Sequence, residues 1–198
     1  MRKLFVDLDD TFVDTERYLR RILESNGLKV PKYETVYTLY GEEAYKPYFD
    51  MVFNNYFVIP KKQGVNENIK LLETEYNIVF CSYCTTKNEK IAKKRFAESL
   101  NKEIILCEGE DFDKSNVDMS GGILIDDNLD VLASSNAAKK LQMYNEFTYR
   151  QGINGCPLVI DWFDVVDQLM EVSVDEKLRE LISIGISGFH SCDVKKHI

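Results

Sequence analysis

The first eleven residues, MRKLFVDLDDT (1–11), join a short apolar run to a group of acidic residues. Leu4-Phe5-Val6 is apolar at every position, and continuous apolar runs are typical of parallel strands that are buried on both faces. Asp7-Leu8-Asp9-Asp10-Thr11 follows at the point where this strand would end. Ligands of open α/β sheets bind at the carboxyl ends of parallel strands, so the polar residues of this stretch are candidate site residues.

Apolar runs of the same kind recur along the chain and alternate with amphipathic helical patterns. Strands are predicted at 77–81, 104–107, 123–125 and 158–160, with a weaker candidate at 141–144. Helices are predicted from Asp14 or Thr15 to about Asn26, with Gly27 as the stop, and at 66–76, 88–100, 130–138 and 161–172. This alternation predicts an α/β fold built on a doubly wound parallel sheet.

The segment between the first and second strands is too long for a single crossover helix, since it has about 70 residues. Its middle, residues 33–59, is rich in Tyr and Phe. We interpret this segment as a small helical cap inserted after the first strand. The predicted organisation is a catalytic core at 1–14 and 66–172, a cap at 15–65, and a C-terminal helical extension at 173–198.

The composition excludes several classes of protein. The chain has 198 residues, with 25 Lys plus Arg against 33 Asp plus Glu, and a formal net charge of −8. The acidic balance argues against binding to extended nucleic acid, and the lack of a run of about 18 apolar residues argues against a membrane span. The first apolar run is too short for a signal peptide, and five scattered cysteines favour a reducing, cytoplasmic setting. The oligomeric state stays open.

Polar and charged residues also follow other predicted strands. Ser82 follows the second strand, Asp126 and Asp127 follow the fourth, and Lys114 lies in the loop between the third and fourth. Each aspartate alone is more often a helix cap or a solvated loop residue. Together with Asp7, Asp9 and Asp10, the pair at 126–127 would repel strongly unless a cation lay between them. Oxygen ligands without His or Cys favour Mg²⁺.

The same residues suit the chemistry of a phosphate group. Mg²⁺, Lys114 and the Ser82 hydroxyl would neutralise and hold the phosphate oxygens. An aspartate at this edge can attack phosphorus and form an aspartyl-phosphate, and a carboxyl two residues further on can act as acid and then as base.

The combination of these motifs resembles the haloacid dehalogenase superfamily of phosphotransferases. It comprises Asp-x-Asp-x-Thr at 7–11, Ser82 after the second strand, a loop lysine, and an apolar run ending in Asp-Asp at 123–127. The chain length, the short cap, the Asp-Lys-Ser at 113–115 and a helix that contains Trp162 resemble the 5′(3′)-deoxyribonucleotidase family within it.

The resemblance implies roles for four carboxylates near the predicted Mg²⁺ site, which are Asp7, Asp9, Asp126 and Asp127. Asp7 would be the nucleophile and a ligand of Mg²⁺. Asp9 would be the general acid and base, and its backbone carbonyl would bind the ion. Asp127 would be a direct ligand, whereas Asp126 would hold either a water of the ion or Lys114, and the sequence does not separate these two firmly.

The resemblance also implies a phosphate-binding set. Thr11 would brace the first loop at the phosphate site, Ser82 would bind the phosphate, and Lys114 would pair with the phosphate and Asp7. A second phosphate lysine is expected on the helix after Ser82, where Lys93 fits best and Lys94 is next. The aromatic residue near that lysine is usually Trp in the family and is Phe96 here.

The implied activity is Mg²⁺-dependent hydrolysis of nucleoside monophosphates, above all deoxyribonucleoside monophosphates. One alternative is another small phosphomonoester such as a sugar phosphate, and another is a non-catalytic module that binds phosphate or a partner protein. The cap aromatics either pack the cap or contact the substrate by stacking. The acidic run at 108–113 would oppose an anionic substrate unless it pointed away, and its role stays open.

Overall fold

The structure, a computed structural model, describes residues 1–32, 34–108, 114–147, 152 and 155–170. Six strands form one parallel sheet in the order β3-β2-β1-β4-β5-β6. The doubly wound parallel sheet is therefore confirmed, including its weaker candidate, which is β5. The strands are β1 (Arg2–Val6), β2 (Tyr76–Tyr83), β3 (Glu103–Cys107), β4 (Ile123–Asp126), β5 (Lys139–Met143) and β6 (Leu158–Val159).

Each helix predicted between residues 14 and 172 is present, although several ends differ. None of the helices in the described ranges is long and apolar enough to cross a membrane. The helices are α1 (Thr15–Ser25), α2 (Lys46–Asn54), α3 (Val65–Leu72), α4 (Lys87–Ser99), α5 (Leu129–Ser134) and α6 (Trp162–Leu169), with two 3₁₀ helices at Val36–Leu39 and Tyr56–Val58.

Helix α1 ends where the sequence predicts its stop. Gly27 adopts a positive φ of 72° and donates its N–H to the carbonyl of Glu24, while the Leu28 N–H donates to the carbonyl of Leu23. A residue with a side chain would be strained in this conformation, which glycine adopts readily. The helix is thus closed by glycine, and its buried residues Leu19 and Leu23 face the core.

The sheet is covered on both faces, as the continuous apolar strands require. Leu4 and Val6 pack into the larger buried cluster on one face, together with Trp162 and the cap residues. Phe5 points to the opposite face, where it packs with Leu124 and the α5 residue Leu132. Alternate residues of the buried part of β1 therefore serve two separate cores, so a polar side chain at Leu4, Phe5 or Val6 would be buried whichever face it pointed to.

The order of the strands fixes where a ligand can bind. The chain runs from β1 outward through β2 to β3 and then returns to place β4 on the other side of β1. The Asp7 N–H donates to the carbonyl of Ile125 at 3.0 Å, which joins the ends of β1 and β4 directly. Ligands of doubly wound sheets bind at this switch point, beyond the carboxyl ends of the strands.

The cap is joined to the core by two adjacent chain segments. The Asp14 N–H donates to the carbonyl of Pro60 at 2.8 Å, and the Lys62 N–H donates to the carbonyl of Phe12 at 2.9 Å. Between these segments lie α1, α2 and both 3₁₀ helices, so the helical cap after the first strand is confirmed. The boundaries at 15 and 65 stay predictions, and the extension at 173–198 lies outside the described residues.

Three predicted details were wrong. Helix α3 ends at Leu72 rather than at 76, because Tyr76 pairs with Arg2 and begins β2. Helix α5 ends at Ser134 rather than at 138, because the chain turns to an extended conformation at Ser135. On α4 the helical spacing of Ile91, Phe96 and Leu100 predicts that all three face the core, but Ile91 is 39% exposed. The residues of α4 that face the interior are Glu89, Ala92, Lys93, Phe96 and Ala97.

Candidate active site

Three carboxylates meet at the switch point of the sheet. Asp7 follows β1, Asp126 ends β4 and Asp127 comes next, and one oxygen from each lies within 4.8 Å of the others. Burial raises the pKa of Asp7 to about 7, with Lys114 opposing this rise and Asp126 adding to it. Burial and Asp126 raise the pKa of Asp127 to about 8. The protein thus holds more negative charge here than its own residues neutralise.

Lys114 is the cation of this cluster and is almost fully buried. Its Nζ lies 2.6 Å from Asp7 Oδ1 and 2.6 Å from Asp126 Oδ2. Burial opposes the charge on the lysine, but Asp126 and Asp7 raise its pKa above the usual value. Lys114 therefore stays protonated and ties the ends of β1 and β4 together.

The hydrogen bonds of the three carboxylates distinguish their roles. Asp126 has both oxygens engaged, because Oδ2 accepts from Lys114 and Oδ1 accepts from the Asn128 N–H at 2.9 Å. Asp127 Oδ2 accepts from Asn145 Nδ2 at 3.0 Å. Among the described residues no donor is bonded to Asp127 Oδ1, so this oxygen can bind a ligand. Asp7 likewise uses only Oδ1 for Lys114. Hard oxygen donors with excess negative charge fit Mg²⁺, with Asp7 and Asp127 as the better placed ligands.

Asp9 lies beside this group but belongs to a different set of contacts. Its Oδ1 accepts from Thr15 Oγ1 at 2.7 Å and from the hydroxyl of Tyr56, and its Oδ2 lies 2.6 Å from Lys93 Nζ. Lys93 also contacts Glu89 Oε1 at 2.8 Å. We call these five residues, Asp9, Thr15, Tyr56, Glu89 and Lys93, the Asp9 cluster.

One cavity of about 450 Å³ lies above these clusters, between the sheet and the cap. It brings together most of the predicted site residues. Thr11 and Lys93 are fully buried and are not among the described residues that line it. The predicted residues that line the cavity are Asp7, Asp9, Asp10, Ser82, Lys114, Asp126 and Asp127.

Thr11 supports the loop from below. Its carbonyl accepts a hydrogen bond from Trp162 Nε1 at 3.0 Å, which fixes the loop to α6. Its hydroxyl is buried and makes no hydrogen bond within the described part of the chain. The structure therefore gives Thr11 a contact that braces the loop and no contact with the cavity.

Asp10 does not join the carboxylates of the metal side. Its Oδ1 accepts from the Glu16 N–H at 2.7 Å, so it satisfies a backbone donor in the first turn of α1. It does so from a φ of 55°, a conformation that aspartate tolerates better than most residues. Asp10 is therefore not one of the three described carboxylates whose oxygens converge, although it lines the same cavity and lies close enough to Asp127 for their charges to interact, and its place in the Mg²⁺ site stays a prediction.

Sequence reasoning missed several residues of the site. Asn145, which holds Asp127, lies two residues beyond β5, so the strand-end rule that found Ser82 could have found it. Tyr56 and Thr15 contact Asp9 from the cap, and no local pattern separates Tyr56 from the other aromatic residues around it. Of the acidic run at 108–113, residues 109–113 lie outside the described residues.

The cap aromatics divide between packing and cavity lining. Phe49 and Tyr56 are fully buried and pack the cap. Tyr37, Tyr40 and Phe53 line the cavity, and the rings of Tyr37 and Phe53 are stacked, with centroids 6.4 Å apart and planes at 15°. The cap therefore presents aromatic surface to the space above the carboxylates, while Tyr33 lies outside the described residues.

No protein-family profile and no curated protein matches this sequence. Solved structures do match its fold. A protein from Bacillus subtilis assigned as a HAD-hydrolase and solved with bound magnesium has a TM-score of 0.57 at 12% identity, covering 85% of this chain and 98% of that one. A protein from Thermotoga maritima assigned as a beta-phosphoglucomutase has a TM-score of 0.56 at 15% identity, covering 87% and 100%.

A third structure agrees with these two. A haloacid dehalogenase-like family hydrolase from Xanthomonas campestris has a TM-score of 0.54 at 11% identity, with 89% of this chain and 98% of that one covered. The chain therefore has the fold of haloacid dehalogenase-like hydrolases.

Proposed function

We propose that this protein is a Mg²⁺-dependent phosphatase that hydrolyses nucleoside monophosphates, deoxyribonucleoside monophosphates above all, through an aspartyl-phosphate on Asp7. The observation that carries the proposal is the convergence of Asp7, Lys114, Asp126 and Asp127 at the switch point, with Asp9 beside them in one cavity. The fold of haloacid dehalogenase-like hydrolases supports the hydrolase class.

Asp7 and Asp127 would hold the Mg²⁺, each with a carboxylate oxygen that no described residue occupies. The backbone carbonyl of Asp9 is the third proposed ligand. When bound, the ion would neutralise the carboxylates and polarise the phosphate oxygens. The magnesium in the Bacillus subtilis structure supports this choice of metal.

The proposed reaction has two steps, and the side chains of this protein have separate roles in them. A carboxylate oxygen of Asp7 attacks phosphorus, the bond to the leaving oxygen breaks, and Asp9 gives that oxygen a proton. Asp9 then takes a proton from the water that attacks the aspartyl-phosphate, which releases inorganic phosphate and restores Asp7. Lys114 and the Ser82 hydroxyl hold the phosphate oxygens and stabilise the charge that develops on them.

The cavity supports a substrate with an aromatic part. Its volume of about 450 Å³ suits a small ligand, and the aromatic residues Tyr37 and Phe53 line its cap side. Stacking of a base on an aromatic ring contributes roughly 1–3 kcal/mol. A nucleoside would fill the aromatic part of the cavity while its phosphate lay against Lys114.

A second candidate is a sugar phosphate. Thr35, Thr85 and Glu89 also line the cavity and can hydrogen-bond to hydroxyl groups. The Thermotoga maritima protein with the same fold is assigned as a beta-phosphoglucomutase, and this assignment supports a sugar phosphate as the second candidate substrate. A non-catalytic binding module is disfavoured, because such a module would have no need of Asp7, Asp9 and Lys114 together.

The test is a phosphate-release screen over deoxyribonucleoside and ribonucleoside monophosphates, their 3′ isomers and sugar phosphates, each with Mg²⁺ and with EDTA. We expect Mg²⁺-dependent release from nucleotides, fastest from deoxyribonucleotides. Release from sugar phosphates alone would select the second candidate. An absence of release from every substrate would overturn the proposal.

The setting of the protein is also proposed. Small phosphorylated compounds, rather than extended nucleic acid, are the partners that a cavity of this size suits. The four described cysteines form no disulfide, which supports a reducing compartment such as the cytoplasm.

A further inference from the structure

We propose that Lys93 is a positioning residue that holds the carboxylate of Asp9 in place, and that it does not bind the substrate phosphate. The inference rests on the proposed function, since it concerns the group that transfers protons there. It departs from the role that family resemblance implies for a lysine on α4.

The hydrogen-bonding capacity of Lys93 is already used within the protein. An ammonium group has three N–H donors. Four acceptors surround Lys93 Nζ: Asp9 Oδ2 at 2.6 Å, the Tyr83 carbonyl at 2.6 Å, Glu89 Oε1 at 2.8 Å and Ser82 Oγ at 3.2 Å. No donor is left for a phosphate oxygen unless one of these contacts is broken.

The position of Lys93 leads to the same conclusion. Its exposed fraction is 0%, and it lies behind Ser82 and Asp9, both of which line the cavity. Glu89 is fixed in turn, because its Oε2 accepts from the N–H and the hydroxyl of Thr85, each at 2.8 Å. Lys93 is therefore held from several sides and presents its charge to Asp9 rather than to the cavity.

The contacts of Asp9 join the core to the cap. Lys93 approaches Oδ2 from α4 of the core, whereas Tyr56 and Thr15 donate to Oδ1 from the cap. Tyr56 is fully buried, and its ring lies 5.5 Å from Lys93 Nζ and packs edge-on against Phe96 at 5.3 Å. Donors on both oxygens restrict the rotation of the carboxylate, so Asp9 is held in one orientation, which is what a proton-transfer group needs in order to stay aligned with its substrate.

The experiment compares Lys93→Met with Arg95→Met, which removes an exposed cation of the same helix α4. Inorganic phosphate serves as a competitive inhibitor, and kcat/KM is measured for a deoxyribonucleoside monophosphate and for p-nitrophenyl phosphate. The nitrophenolate leaves without a proton, so its release needs little help from Asp9, whereas an alkoxide leaving group needs the proton.

For Lys93→Met we expect a loss in kcat/KM of about 100-fold on the nucleotide and less than about 10-fold on p-nitrophenyl phosphate. The inhibition constant of phosphate should stay within about twofold of the wild type, since no phosphate contact is lost. Arg95→Met should match the wild type in all three measurements. A phosphate inhibition constant raised about 10-fold or more, or equal losses on both substrates, would overturn the inference.

A second variant covers the case in which Lys93→Met fails to fold, since that change leaves Asp9 and Glu89 without their cation. Tyr56→Phe removes only the hydroxyl that donates to Asp9 and keeps the buried ring. Tyr56→Phe should reduce kcat/KM more on the nucleotide than on p-nitrophenyl phosphate. On the nucleotide its loss should be smaller than that of Lys93→Met. A wild-type enzyme without activity on any phosphomonoester would instead overturn the proposed function, and the inference with it.

Discussion

Two buried lysines lie beyond the carboxyl ends of the same sheet, and they differ in what they leave available. Lys114 contacts Asp7 and Asp126 and lines the cavity. Its ammonium group has three N–H donors, and the described residues supply two acceptors, so one donor is available for a ligand. Lys93 is surrounded by four acceptors and is not among the described residues that line the cavity. Burial alone does not identify a ligand-binding lysine, whereas the count of acceptors does.

The two clusters also differ in their charge. Asp7, Asp126 and Asp127 face one lysine, which leaves two negative charges, the number that one Mg²⁺ would neutralise. Asp9 and Glu89 share Lys93 and gain neutral donors as well. We infer that the first cluster is built to receive ligands and the second to hold a side chain still.

The largest effect is expected from Asp7→Asn. The amide cannot attack phosphorus, so Mg²⁺-dependent phosphate release should fall by about 10⁴-fold or more. A steady-state assay with the best substrate of the screen measures this loss, and a thermal melt shows whether the variant is folded. A folded variant that kept a tenth of the activity would exclude Asp7 as the nucleophile.

Lys114→Met should have the next largest effect and should differ in kind from Lys93→Met. Lys114 is proposed to hold the phosphate, so its loss should lower kcat/KM by about 10²–10³-fold on nucleotide and p-nitrophenyl phosphate alike. The inhibition constant of inorganic phosphate should rise in parallel. If Lys114→Met and Lys93→Met gave the same pattern on the two substrates, the distinction between the two lysines would be lost.

The difference in charge predicts how Mg²⁺ binding depends on pH. The raised pKa values, about 7 for Asp7 and about 8 for Asp127, mean that protons compete with the ion. At about pH 6 both groups are mostly protonated and bind Mg²⁺ weakly, whereas at about pH 8.5 both are mostly ionised and bind it tightly.

Thermal melts with Mg²⁺ and with EDTA at the two pH values measure this dependence. A saturating ligand at about 100 times its Kd stabilises a protein by about 2.7 kcal/mol. The increase in Tm should therefore be larger at about pH 8.5 than at about pH 6. An increase independent of pH would contradict the assignment of Asp7 and Asp127 as ligands.

Much of the fold and the cavity edge could be predicted from sequence, because both follow from local patterns. Continuous apolar runs located the strands, and the strand-end rule placed Asp7, Ser82 and Asp126 at one edge. The same rule would have reached Asn145 had the weaker strand been given equal weight.

The Asp9 cluster could not be predicted in this way. Helical periodicity put Ile91 toward the core and gave no reason to bury Lys93, yet the structure does the reverse. The cause is the acceptors that meet there, since Asp9 and Glu89 stabilise a buried ammonium. Tyr56 reaches Asp9 across 47 residues of chain, a distance that no periodic pattern spans.

The smallest effect is expected from Lys46→Met, the matched control for Lys114→Met. Lys46 Nζ lies 2.6 Å from Asp50 Oδ2, the same separation as between Lys114 and Asp7, but both side chains of this helical pair are exposed. Water screens the exposed charges and replaces either partner when it is lost, whereas a buried carboxylate left without its lysine cannot be resolvated. The Tm of Lys46→Met should therefore equal that of the wild type within error, while Lys114→Met lowers it in the absence of Mg²⁺. Equal losses of Tm in the two variants would show that distance rather than burial sets the contribution of these lysines.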